Sequence, residues 1–338
     1  MRLAATGICE RGLAALVAWL AVGCSGASGA PSDAGVDQGT AQGDGSTSSD
    51  AAQDAADGAA SSGDGQSGDD AGHGDGSSGG DATNGDGGSW WQPGTGELPW
   101  QWEIDHEINT SSATDMGTGD KTYANGSAAD PVVYDIDGFD NTAADVASLH
   151  AKGKKVICYI EVGAAESYRP DYSQFKAADL GTVVGGYPNE KYLDIRDAAV
   201  LTVIEARVAM CAQKGFDGIE PDIDDSYTDT TGFPITEADD VAYLAKLSGY
   251  GHGLGVAWGL KNGGDGGDPT KFVPDMVPYI DFAVVEEPFY LMTIGYFSPA
   301  LYNAGKAVFV AEYTNDTPNA SSFCPQAIAD HTNAALFD

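Results

Sequence analysis

The stretch GFDGIEPDIDDSY, residues 215–227, decides how the rest of the chain is read. It opens on a glycine, passes through a short apolar run broken by glycines, and holds five carboxylates in thirteen residues: Asp217, Glu220, Asp222, Asp224 and Asp225. A short apolar run bounded by glycine and acids reads as a buried strand. Like charges this close repel and favour protonation of one partner, so the cluster destabilises the fold unless metal, sugar or solvent gives it a use.

Runs of the same kind recur on both sides. WQWEI (100–104), PVVYDID (131–137), KKVICYIEVG (154–163) and KYLDI (191–195) precede it, and LGVAWGLKN (254–262), IDFAVVEE (280–287) and KAVFVAEY (306–313) follow. With GFDGIEP itself these make eight candidate strands. Helical segments such as TAADVASLHAKG (142–153) and AAVLTVIEARVAMCAQKG (198–215) lie between them, each closing on a glycine at the C-cap. Strand and helix in alternation predict a parallel sheet with crossover helices. Asp135, Asp137, Glu161, Glu220, Asp222, Lys261, Asn262, Glu286 and Glu312 all sit at strand C-terminal ends. In a barrel those ends converge on one face, whereas in an open sheet they spread along a crevice. No GxGxxG follows the first strand, which removes the usual support for an open nucleotide-binding sheet. The expected fold is α/β, a (β/α)8 TIM barrel spanning 90–338.

The residues before the barrel are of another kind. Residues 1–23 carry Arg2 and Arg11 and the apolar segment GLAALVAWLAVG, ahead of Cys24. This pattern predicts an export signal rather than a spanning helix. It resembles a bacterial lipoprotein signal, which makes Cys24 a candidate lipidation site, although Ala21 stands where that pattern usually has Leu. Residues 25–89 are almost entirely Gly, Ser, Ala, Asp and Thr without an aromatic residue. Such a segment cannot bury enough apolar surface to fold, so 24–89 is expected to be a disordered acidic tether. The expected location is exported: a cell-surface or outer-membrane lipoprotein, otherwise secreted.

Composition excludes several functions. A formal charge of -35 argues against nucleic acid, whose phosphates need Lys and Arg. The histidines lack HExxH spacing, and the acids around Asp222 lack the glycine and closing Glu of an EF-hand, so neither metal nor cofactor is expected. Residues 90–338 contain no GxSxG elbow. Export permits a disulfide among Cys158, Cys211 and Cys324, but the sequence does not pair them.

Paired carboxylates on different strands of one barrel face are what glycosidic cleavage needs, one attacking or activating water and the other protonating the leaving oxygen. Asp222 and Glu286 are the candidate catalytic pair. Candidate substrate contacts are Asp135, Asp137, Glu220, Lys261, Asn262, Glu312 and Tyr313 at strand ends, with Tyr159, Glu166 and Arg169 from CYIEVGAAESYRPD (158–171). Arg169 either orients a substrate or bridges Asp171 to hold its loop. Trp102 either stacks on a sugar ring or, with Trp90, Trp91 and Trp100, plugs an end of the barrel.

These blocks, together with VYDIDGFDN (133–141), YLDIRD (192–197), TGFPIT (231–236) and GLKN (259–262), resemble glycoside hydrolase family 114 in order and spacing over nearly all of 90–338. The resemblance implies an endo-α-1,4-polygalactosaminidase-like TIM barrel that cleaves galactosamine-containing polysaccharide such as galactosaminogalactan. It puts the catalytic pair on Asp222 and Glu286 and implies a retaining reaction. A deacetylated amino-sugar polymer is cationic, so an acidic cleft is expected to steer it in, and the chain is expected to be a monomer. The sequence departs from the family where Ile223 replaces the Asn of EPDN and where the NEQC-like block reads Val285, Glu286, Glu287, Pro288. Two alternatives stay open: a carbohydrate-binding surface lipoprotein without catalysis, and a glycosidase acting on another α-linked polymer.

Overall fold

In a strand, successive side chains point to opposite faces, so in a barrel every second residue fills the interior while its neighbours pack beneath the helices. The computed structural model describes residues 5–8, 89–119, 128–263, 269–317 and 319–337, all within a unit comprising 1–14 and 84–338. Its strands are β1 (Ala5–Ile8), β2 (Trp100–Glu103), β3 (Val133–Asp137), β4 (Lys155–Glu161), β5 (Ala164–Glu166), β6 (Leu180–Val184), β7 (Tyr187–Leu193), β8 (Gly218–Asp222), β9 (Ala257–Trp258), β10 (Phe282–Glu286), β11 (Ala307–Tyr313) and β12 (Asn333–Phe337). Its helices are α1 (Ala143–Ala151), α2 (Ala198–Lys214), α3 (Glu237–Gly253), α4 (Pro269–Met276), α5 (Ile294–Asn303) and α6 (Cys324–Ala329).

Strands β2-β3-β4-β8-β9 and β10-β11-β12 run parallel in two arcs. A bridge between Lys261 and Val284, with Leu260 N–H donating to the Phe282 carbonyl, joins β9 to β10. At the other seam Leu98 N–H donates to Asn333 Oδ1 at the foot of β12. The eight strands enclose Trp100, Trp102, Val133, Ile157, Ala257, Phe282, Phe309 and Phe337, whereas Tyr134, Ile136, Val156, Cys158, Ile219, Trp258, Val285 and Val310 pack outward under the helices. The split follows strand parity, and it is why the chain forms a TIM barrel.

One expected barrel strand is corrected. KYLDI lies in and just after β7, which pairs antiparallel with β5 and β6 in a separate three-stranded sheet. The eighth barrel strand is β12, NAALF, which followed too short a helix to stand out in the sequence. Gly185 and Gly186 form the two-residue β6–β7 turn, Gly186 at φ +85°. The Gly-Gly pair between apolar runs is the hairpin signal that could have found this sheet.

Thr142 caps α1 and Thr236 caps α3, each exchanging hydrogen bonds with an aspartate three residues on. Gly215 ends α2 at φ +92°, a backbone conformation that glycine adopts without steric cost. A disulfide between Cys158 and Cys211 fastens β4 to α2. Ala5–Ile8, inside the segment read as an export signal, run antiparallel to β12. The remainder of that segment, Cys24 and the tether up to residue 88 lie outside the described residues. No helix among the described residues is long and apolar enough to cross a membrane.

Candidate active site

The acids of 215–227 separate once the strand is folded. Asp217 precedes β8 and takes hydrogen bonds from Lys155 Nζ and the Val156 N–H, with His150 alongside. Glu220 and Asp222 share the inward parity of Gly218, one layer apart. Glu220 is fully buried, whereas the Asp222 side chain keeps 23% of its exposure. Asp224 accepts the Lys261 N–H at 2.9 Å.

Lys261 follows β9 with inward parity and is 3% exposed. Its Nζ donates to Glu220 Oε1 at 2.6 Å and lies 3.8 Å from Asp222 Oδ1 and 3.5 Å from Glu286 Oε2. The two acid oxygens are therefore separated by at most the sum of the last two legs, about 7.3 Å. The Glu286 side chain is 32% exposed, so both acids open to solvent above a buried floor. Tyr159 donates its hydroxyl to Asp222 Oδ2 at 2.6 Å, and Tyr313 donates to Glu286 Oε1. Asn262 accepts the Glu286 N–H at 2.9 Å and places its Nδ2 3.4 Å from Oε2. Each acid is thus held by a tyrosine from the neighbouring strand.

Beneath them, Asp135 on β3 is wholly buried; its oxygens meet no donor group among the described residues, and it faces the Glu220 carboxyl within hydrogen-bonding reach. Burial and the adjacent Glu220 raise its pKa well above the usual carboxylate range, so Asp135 is the proton-bearing member of the pair. Burial also raises Glu220, against the opposing pull of Lys261. For Lys261 burial acts to lower the pKa, but Asp222, Glu220 and Glu286 outweigh it and keep the ammonium charged. Trp102 is 1% exposed, donates to Glu220 Oε2 at 3.0 Å, and lies under Lys261 Nζ at 4.5 Å. Its ring belongs to the barrel interior and is not offered to a sugar. Trp90 stacks on His252 and donates to Asp281, which precedes β10 at the opposite end of the strand from Glu286.

Four other expected contacts, Asp137, Glu166, Arg169 and Glu312, are built into the frame. Arg169 binds Asp137, Asp140 and Glu166, and does not bridge Asp171, which is held instead by Arg207 at 2.7 Å. Asp137 also accepts the Phe139 and Asp140 N–H groups. Glu312 has the outward parity of Val308 and Val310, and accepts from Phe289 N–H and Thr317 Oγ1. It shapes the loop after Glu286.

Side chains that sequence reasoning missed come from the three-stranded sheet. Tyr187, 60% exposed, has its hydroxyl pKa raised by burial and then by Glu286 and Asp222, which places it in the field of the acid pair. Glu190 on the same strand meets Glu161, the register partner of Asp222, and burial with Glu166 and Glu190 raises Glu161 well above the carboxylate range.

The ends of β8 and β10 and the residue after Lys261 turn in the same way. Ile223, Asn262 and Glu287 follow Asp222, Lys261 and Glu286, and all have φ between +52° and +54°. This left-handed region suits Asn and is costly for a β-branched residue. Ile223, where the family pattern has Asn, offsets that strain by packing on Ala164, Val184 and Tyr192. Sharp turns of this kind concentrate at functional sites.

Comparison with known proteins places this arrangement. A family model, glycoside-hydrolase family GH114, matches residues 80–337. The structure of Aspergillus fumigatus Ega3 in complex with galactosamine superposes with a TM-score of 0.62 at 28% identity, covering 73% of this chain and 93% of that one. The glycoside hydrolase domain of PelA from Pseudomonas aeruginosa gives a TM-score of 0.51 at 13% identity, over 71% and 93% of the two chains, and shares the fold. An uncharacterized protein of Deinococcus radiodurans is 28% identical over 121 residues, 35% of this chain and 39% of its own length. Because the family match runs across all eight barrel strands and the acids at their open ends, the chain belongs to glycoside-hydrolase family GH114 and is a glycoside hydrolase.

Proposed function

We propose that the protein is an endo-acting, retaining glycosidase that cleaves α-1,4 linkages in galactosamine-containing polysaccharide, with Asp222 as nucleophile and Glu286 as general acid and base. The observation that carries this reading is the pair itself: two partly exposed carboxyl groups on different strands, oxygens at most about 7.3 Å apart, over a buried floor. Retaining pairs stand about 5–5.5 Å apart and inverting pairs roughly 6.5–9.5 Å, so this limit fits a paired-carboxylate mechanism of either kind, and retention is taken from the family resemblance. In the first step an Asp222 oxygen bonds to the anomeric carbon as the glycosidic bond breaks, and the Glu286 proton passes to the leaving oxygen. Water then attacks the same carbon, Glu286 takes its proton, and Asp222 leaves.

The substrate class rests on Ega3, whose structure holds galactosamine, and on charge. An acidic barrel mouth attracts a cationic amino-sugar polymer. Tyr187 offers the exposed ring on which a pyranose can stack. Incubation with partly deacetylated galactosaminogalactan should release short oligosaccharides, and NMR of the earliest products should show the α-anomer first. A β-anomer first would replace retention by inversion. Tight binding with no new reducing ends, across several acetylation states, would favour the carbohydrate-binding alternative, and cleavage confined to another α-linked polymer would correct the substrate.

The lipid anchor belongs to the same reading. We infer that Cys24 is acylated after signal removal and that 25–89 tether the enzyme to the cell surface. Mass spectrometry of the mature N-terminus tests this, and a soluble product beginning well after Cys24 would refute it.

A further inference from the structure

The barrel sets a lysine between the two acids. Gly259 allows it: a Cβ there would stand 2.7 Å from the Phe282 ring and 2.8 Å from the Ile219 carbonyl, so only glycine lets β9 run this close between β8 and β10. Two residues on, Lys261 enters the interior with its N–H held by Asp224 and its ammonium on Glu220. A buried ammonium with a fixed base and two flanking carboxylates has little freedom to reorient.

We propose that Lys261 is a positioning residue for the glycosidase reaction: anchored on Glu220, it fixes the spacing of Asp222 and Glu286 and shifts its attraction to Glu286 when Asp222 becomes esterified. The inference rests on the catalytic reading given above. Once Asp222 has bonded to the sugar it carries no charge, and Glu286 has given up its proton. Lys261 then faces Glu286 as the remaining unpaired carboxylate and stabilises the base that the second step needs. When Asp222 is released its charge returns, the ammonium is shared again, and Glu286 regains its proton. The groups facing this exchange are Glu220 and Asp222 from β8 with Asp224 just after it, Glu286 from β10, Asp135 from β3, Tyr159 and Glu161 from β4, Tyr313 from β11, and Tyr187 and Glu190 from β7. Burial keeps Asp135 and the tyrosines neutral, so among the described residues Lys261 is the cation that lies against both acids.

The test is the pH dependence of kcat/KM for the full chain and for Lys261→Met, which keeps length and removes charge. A neighbouring cation favours ionised carboxyl groups, so its loss should move both limbs of the profile upward by roughly one unit or more. Turnover should fall by about 10² at the wild-type optimum, and Lys261→Arg should restore most of it. The paired variant Asp135→Asn/Glu220→Gln leaves the ammonium without its base and should move both limbs downward. A structural role alone would not reverse the sign, so this variant also decides the matter if Lys261→Met does not fold. Unchanged limbs in active variants would overturn the proposal. An inactive wild-type protein would instead defeat the glycosidase reading, and carboxyl-carbon NMR titration of Asp222 and Glu286 in the same variants would still decide the role of Lys261.

Discussion

Removing Arg207 should cost more stability than removing any single acid at the barrel mouth. Its side chain is 1% exposed on α2, yet it reaches three separate pieces of chain. Nε and Nη2 grip Asp171 at 2.7 and 3.2 Å, and Nη1 donates to the Glu161 carbonyl at 2.9 Å and to Glu166 at 3.3 Å. Arg207→Met keeps an apolar side chain on α2 but loses the guanidinium over the Phe139 and Phe175 rings, 5.2 and 5.7 Å from Cζ, and leaves a carbonyl and part of a buried carboxylate unpaired. Breaking a buried pair from one side costs about 3–5 kcal/mol. Asp171 retains 13% exposure and Glu166 keeps Arg169, which puts the expected loss at the lower end, about 3 kcal/mol. For a barrel of this size that corresponds to a drop of roughly 6–12 °C in Tm. Calorimetry on the full chain measures it, and a double-mutant cycle with Asp171→Asn should return a coupling of about 1 kcal/mol or more. A loss below about 1 kcal/mol, or additive effects, would mean that Arg207 and Asp171 are held by packing and that their bidentate contact adds nothing.

Four further outcomes follow from the same geometry. Asp222→Asn and Glu286→Gln keep shape while removing titration, and each should cut turnover by about 10² or more with an unchanged melting curve. Tyr187→Ala should raise KM several-fold with a smaller effect on kcat, as loss of a stacking surface does; an unchanged KM would take the ring out of the cleft. Burial pushes both Glu103 and Asp240 up to about 8, so the folded chain holds protons that the unfolded chain has released. Their stabilisation is complete below pH about 4 and is lost as pH rises towards 8, by about 1.4 kcal/mol per unit for each group. Melting curves from pH 5 to 9 should therefore show falling Tm, with a shallower slope in Asp240→Asn, which can still accept the Tyr227 N–H. Replacing Cys158 and Cys211 by Ser opens a loop of 53 residues and should cost about 4 kcal/mol by chain-entropy reasoning, read from denaturant unfolding.

The sequence by itself determined the class of fold, because its signals are local. Glycine-bounded apolar runs and capped amphipathic segments alternate in the order a parallel barrel needs, and the acids at strand ends mark its functional face. It also contained the parity that turns Glu312 outward and Glu220, Asp222, Lys261 and Glu286 inward, since that depends only on counting residues along a strand. What needed tertiary structure was every question of which strand lies beside which. KYLDI has the composition of a barrel strand, and only the Gly185-Gly186 turn ahead of it hints at a hairpin, while NAALF, which takes the eighth place, is told apart by its pairing with β11. Arg169 is two residues from Asp171 and yet binds Asp137, because the loop brings β3 to it while α2 carries Arg207 to the aspartate. Trp102 reads as a sugar platform until closure of the barrel buries it beneath Lys261. Lys261 itself is an ordinary strand-end lysine in the sequence, and its place between two acids arises because β8 and β10 flank β9. Side-chain direction is set within one strand by the geometry of the peptide unit, whereas side-chain company is set by register and closure across strands far apart in the chain.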